Sequence, residues 1–138
     1  MILKVNSNSP DRTFKLGEKV GQFLKGDEVI LLCGDLGAGK TLFTKGIASS
    51  LGINPDNVVS PTFVIMNKFE GNLHTLLHFD LYRLGENIEN SVPEIDEYIN
   101  GNIIVVEWAQ YLSPSYFRLK NSIDIKFSVR DNYIRIIK

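Results

Sequence analysis

At 138 residues the chain suits one domain with one core, and the expected unit is residues 1–138. Its net charge of −1 excludes the basic footprint of a protein that grips nucleic acid directly. Its single cysteine, Cys33, excludes an internal disulfide or a cysteine-built metal cage, and no run approaches the roughly 18 apolar residues of a membrane span.

The apolar run near Met1 is too short for a signal peptide, so the expected compartment is the cytoplasm. Ile2 to Val5 reads as a short first strand. Ser9-Pro10 then reads as an N-cap with proline at the first helical position. Leu16, Val20, Phe23 and Leu24 share one helical face, and Gly26 is the expected stop. Val29-Ile30-Leu31-Leu32-Cys33 is continuously apolar, the pattern of a strand buried on both faces. A second helix follows the glycine-rich segment, with Phe43, Ile47 and Leu51 four apart and Gly52 as its stop.

Phe63 to Phe69 and Thr75 to Tyr82 read as strands of a hairpin joined through Glu70-Gly71-Asn72. A short helix is expected from Pro93 to Tyr98. Ile103-Ile104-Val105-Val106 is a second fully apolar strand, ending in Glu107-Trp108. Ile123, Ile125, Phe127 and Val129 alternate with polar residues, which predicts a half-exposed strand. A turn at Asp131-Asn132 leads to a last strand around Ile134 and Ile136. The expected fold class is α/β, a single P-loop NTPase domain with a mixed β-sheet flanked by helices.

Gly34-Asp35-Leu36-Gly37-Ala38-Gly39-Lys40-Thr41 matches G-x-x-x-x-G-K-[ST] at every fixed position. It follows a predicted strand and opens a predicted helix, which is the context this motif requires. Glycine permits positive φ and close approach of the backbone to an anion. Successive N–H groups and the helix N-terminus would then hold phosphate, Lys40 would sit between the β- and γ-phosphates, and Thr41 would ligate Mg²⁺. The plain alternative is a glycine-rich turn carrying a solvated lysine.

Phosphoryl transfer of this kind uses a carboxylate at the end of a buried strand. Asp80, closing Leu76-Leu77-His78-Phe79-Asp80, and Glu107, closing Ile103 to Glu107, both qualify, and each has a plain reading as a surface acid. His74, His78 and Asp80 share strand parity, but a metal site built on them competes with the metal the P-loop already implies. Ser60-Pro61-Thr62-Phe63 is either a γ-phosphate-sensing turn or an ordinary loop. Trp108 alone reads as core or contact surface. The chain has no Asp-x-x-Gly, against a GTPase, and only five scattered arginines, which leaves a small-molecule kinase as runner-up. A nucleotide-gated binding module is the third reading.

Thr13-Phe14-Lys15-Leu16-Gly17, the P-loop, Ser60-Pro61-Thr62-Phe63, His78-Phe79-Asp80-Leu81-Tyr82-Arg83-Leu84 and Glu107-Trp108 occur in an order and spacing that resembles the TsaE family. That family is the ATPase component of bacterial threonylcarbamoyladenosine tRNA modification. The resemblance implies ATP and Mg²⁺ as cofactors and a TsaB–TsaD heterodimer as partner, with tRNA met only through that complex. It implies nucleotide binding by Leu36, Gly37, Ala38, Gly39, Lys40 and Thr41, with Thr13 near the adenine. It further implies Thr41 and Glu107 as Mg²⁺ ligands, Asp80 as the acid needed for hydrolysis beside Lys40 and Glu107, and Trp108 on the active-site and partner-facing surface. Leu42 and Ala109 depart from the family pattern, which often has a second threonine and a proline-type residue there.

Overall fold

Ser9 caps the first helix as its position predicts: its hydroxyl accepts from Arg12 N–H at 3.2 Å, with Pro10 in the first turn. The computed structural model describes residues 2–35, 37, 39–59, 66–83, 95–128 and 133–137. Its elements are β1 (Ile2–Asn6), α1 (Pro10–Gln22), β2 (Val29–Cys33), α2 (Lys40–Ser50), β3 (Met66–Glu70), β4 (Thr75–Asp80), β5 (Asn102–Glu107), β6 (Ser122–Ser128) and β7 (Tyr133–Ile137). Leu36, Ala38, the Ser60 to Phe63 block, Pro93, Val129 and the Asp131-Asn132 turn lie outside the described residues.

The described strands form one mixed sheet in the order β1-β7-β6-β2-β5-β4-β3. β2 is central, with β6 and β5 parallel at its sides and β4 parallel to β5. Antiparallel strands complete both flanks: β7 and β1 beyond β6, and β3 beyond β4. The β3–β4 pairing bears out the hairpin through Gly71.

β2 and β5 are uniformly apolar because both sheet faces are covered. Ile30, Leu32, Leu76, Ile103, Val105 and Ile125 pack with Phe43 and Ile47 of α2, and Leu16 and Val20 of α1 close over them. Val29, Leu31, Leu77, Phe79, Ile104 and Val106 form the opposite core with Ile95, Ala109 and Leu112. Both α-helices among the described residues therefore serve one face. The other is covered by 3₁₀ turns at Ile95–Tyr98, Ala109–Tyr111 and Pro114–Arg118. The helices touch backbone to backbone. A Cβ on Gly17 would meet Phe43 O at 2.2 Å, and one on Gly46 would meet Phe14 O at 2.1 Å. That approach brings the start of α1 to the start of α2. No helix among the described residues is long and apolar enough to cross a membrane.

α1 ends at Gln22 with Phe23 as its C-cap, earlier than Gly26, and residues 25–27 instead gather around an acid. The buried Glu28 carboxylate accepts N–H bonds from Lys25 (2.7 Å), Gly26 (3.0 Å) and Asp27 (3.2 Å). Burial opposes its charge, but these backbone donors outweigh that and hold its carboxyl below the usual range. A lowered folded pKa contributes stability above the unfolded value, and that stability is lost as pH falls through the folded one. Glu28→Gln is therefore expected to cost about 2 kcal/mol at neutral pH. The gap between mutant and parent melting temperatures should close as the buffer is acidified. A gap that stays constant with pH would show that the charge is not what matters.

Candidate functional site

Leu32 of β2 pairs with Glu107 of β5, and Glu107 pairs with Asp80 of β4. These three residues form one row near the C-terminal ends of three parallel strands, where open α/β sheets present their sites. The same row faces α1 and α2, because Leu32 belongs to the helix-side core. Both candidate acids are thus delivered to one place by strand register.

Beyond Cys33 the chain turns into α2 through Gly37 (φ 77°) and Gly39 (φ 95°), left-handed conformations that glycine adopts at no steric cost. Gly39 is the N-cap of α2 and brings no side-chain cap. The first N–H groups of the helix are left without a capping side chain, as an anion cradle requires. Thr13 of α1 packs against this turn: a Cβ on Gly39 would lie 3.3 Å from its methyl group. The Thr13 hydroxyl is fixed by Ser7 Oγ at 2.6 Å.

Lys40 is not a solvated lysine. The residue is 4 % exposed, and its ammonium donates to Gly34 O at 2.6 Å and Asp35 O at 2.7 Å. It also lies 4.3 Å from the centre of the Trp108 ring, a cation–π contact. Burial lowers its pKa, opposed by the negative charges of Glu107, Asp80 and Asp35. The next residue, Thr41, donates its hydroxyl hydrogen to Glu107, 2.9 Å to Oε1 and 3.2 Å to Oε2. A hydroxyl oxygen is also a chemically suitable ligand for a hard cation. Glu107 is 2 % exposed and also contacts His78 Nε2 at 2.5 Å. Asp80 is only half-buried, and its Oδ1 accepts from Tyr82 N–H at 3.0 Å.

Trp108 has φ 59°, the only positive value at a non-glycine among the described residues. Such a conformation is strained for a bulky side chain and persists where the surroundings impose it. Here it turns the indole out of the strand and over Lys40, between Tyr82 (centroids 4.9 Å apart) and Tyr111 (5.8 Å, stacked).

The structure brings together Thr13, Gly37, Gly39, Lys40, Thr41, Asp80, Glu107 and Trp108; Leu36 and Ala38 are outside the described residues. His74 stays apart, since a Cβ on Gly26 would meet its ring at 2.6 Å, whereas His78 lies on Glu107. No group of three His, Cys, Asp or Glu able to hold a metal exists among the described residues. Arg83 is exposed. Sequence reasoning passed over Tyr111 and Gln110, whose amide reaches Gly34 O at 3.4 Å. Tyr111 lies one turn beyond Trp108, which was its signal, whereas Gln110 carried none. The set fits its group: Thr41 and Glu107 offer hard oxygen donors suited to Mg²⁺, next to an uncapped helix start suited to phosphate.

A central parallel strand, a positive-φ glycine turn, Lys40-Thr41 opening a helix and acids on neighbouring strand ends together define a P-loop fold. A family model described as threonylcarbamoyl adenosine biosynthesis protein TsaE matches residues 7–137. The tRNA threonylcarbamoyladenosine biosynthesis protein TsaE of Aquifex aeolicus (strain VF5) is 43 % identical over 117 residues, covering 83 % of this chain and 82 % of that protein. The protein of that name from Bacillus subtilis (strain 168) is 38 % identical over 125 residues, covering 90 % and 77 %. The crystal structure of Bacillus subtilis YdiB superposes with a TM-score of 0.69 at 33 % identity, covering 99 % of this chain and 83 % of that one. The chain belongs to the TsaE family.

Proposed function

We propose that this chain binds ATP with Mg²⁺ at the Lys40–Glu107 site and hydrolyses it in support of threonylcarbamoyladenosine formation in tRNA. The observation that carries this reading is the meeting of Lys40 and Thr41 with two strand-end acids, Glu107 and Asp80, in a TsaE-family chain. In this reading the backbone of Leu36 to Gly39 cradles the phosphates and Lys40 bridges the β- and γ-phosphoryl groups. Thr13 lines the adenine side. Thr41 and Glu107 would hold magnesium, which would supply positive charge for the phosphoryl oxygens. Asp80, nearer the surface than Glu107, orients the attacking water.

The partner in this reading is a TsaB–TsaD heterodimer in the cytoplasm, with tRNA reached through the complex. The net charge of −1 supports indirect rather than direct contact with tRNA. The exposed Tyr82 and Arg83 beside the site suit a protein partner. Steady-state phosphate release by the chain alone is expected to be slow and to rise at least tenfold on adding the heterodimer. tRNA alone should leave it unchanged. Stimulation by tRNA alone, or full-speed hydrolysis with no additions, would sink the partner dependence. Normal threonylcarbamoyladenosine in bulk tRNA after depletion of the protein would sink the biological assignment.

A further inference from the structure

His78 lies wholly buried in the middle of a strand whose neighbours are apolar, where a leucine or valine would pack without a polar atom to satisfy. Among the described residues its ring has one polar contact, Nε2 on Glu107 Oε2; Nδ1 has none. The register explains the contact. His78 pairs with Val105 of β5, so Glu107, two residues further along, lies diagonally ahead of it on the same face. A carboxylate only accepts hydrogen bonds when ionised, so Nε2 then carries the hydrogen.

Glu107 is almost fully withdrawn from water and is gripped from two sides. Thr41 approaches from α2 and His78 from β4. The two grips differ in kind. Thr41 belongs to the phosphate loop, whereas His78 stands on β4, a strand paired on both sides, behind the acid. We infer that His78 is a positioning residue: it clamps the Glu107 carboxylate from β4 and so fixes its orientation relative to Thr41 before magnesium arrives. A donor that orients a ligating side chain is commonly worth 10- to 100-fold in metal affinity. This inference rests on the reading of Glu107 as a magnesium ligand, and the test separates the two.

The test is calorimetric titration of the chain with a non-hydrolysable ATP analogue, with and without Mg²⁺. His78→Leu and His78→Asn remove the donor at the Nε2 position, the second while keeping a polar side chain in case the first fails to fold. Both are expected to weaken binding in Mg²⁺ about 10- to 100-fold and to leave metal-free binding within about twofold. His78→Gln, whose amide can reach the Nε2 position, should recover most of the loss. An unchanged Mg²⁺ enhancement in His78→Asn overturns the inference. So does equal weakening without metal, or His78→Gln no better than His78→Asn, since either marks a purely structural residue. Glu107→Gln should abolish the Mg²⁺ enhancement. If it does and His78→Asn leaves the enhancement intact, the His78 inference alone fails; if it does not, the metal reading fails and takes the inference with it.

Discussion

Lys40→Ala is expected to lower ATP hydrolysis by about 10²–10³ while leaving the fold standing. The magnitude is that of removing one preorganised donor aimed at developing negative charge in a water-poor site. Here the donor is a full charge held by two loop carbonyls and the Trp108 face, in a pocket where burial already disfavours it. Of the two residues that carry those carbonyls, Gly34 is half-buried and Asp35 exposed, so water can replace the ammonium once it is gone. The melting temperature should therefore move by only a few degrees. Phosphate release and a thermal melt on the same sample check both halves. Unchanged hydrolysis would remove the P-loop assignment; a collapsed melt would show that Lys40 chiefly holds the loop together.

Much of this site was legible in the sequence because its parts are local. The loop motif, the apolar strand before it and the Phe43, Ile47 and Leu51 spacing after it are all read within 25 residues, and all three side chains are core. Asp80 and Glu107 were legible as strand ends, because each follows an apolar run. Their meeting in one row was not, because it depends on how far β4 and β5 slide past each other, and no residue records that register. The His78 contact follows from the same register. The Trp108 orientation was hidden for another reason: a non-glycine adopts positive φ only when tertiary packing imposes it, so no local rule anticipates the turn. The expected helices do flank the sheet, but which face each takes was not legible. Among the described residues both long helices share one face, since Gly17 and Gly46 let α1 lie directly on α2, and short 3₁₀ turns lie on the other.

The two acids should separate by what they do, and burial says which is which. Glu107, buried and bonded to Thr41, is placed for ground-state ligation, so Glu107→Gln should weaken nucleotide binding only when Mg²⁺ is present. Asp80 lies one strand further out and is half-exposed, so it can meet water that Glu107 cannot. Asp80→Asn keeps the shape and the Tyr82 N–H contact but removes the negative charge. It is expected to leave Mg²⁺-nucleotide affinity within about threefold and to lower turnover about 10²–10⁴-fold, the range for a positioned acid–base group. An interaction made mainly in the transition state lowers kcat and kcat/KM together, whereas lost ground-state ligation raises KM. Single-turnover hydrolysis alongside calorimetry resolves the two. If Asp80→Asn abolishes the Mg²⁺ dependence of binding and Glu107→Gln preserves it, the roles are exchanged, and the half-buried acid is the one that holds the metal.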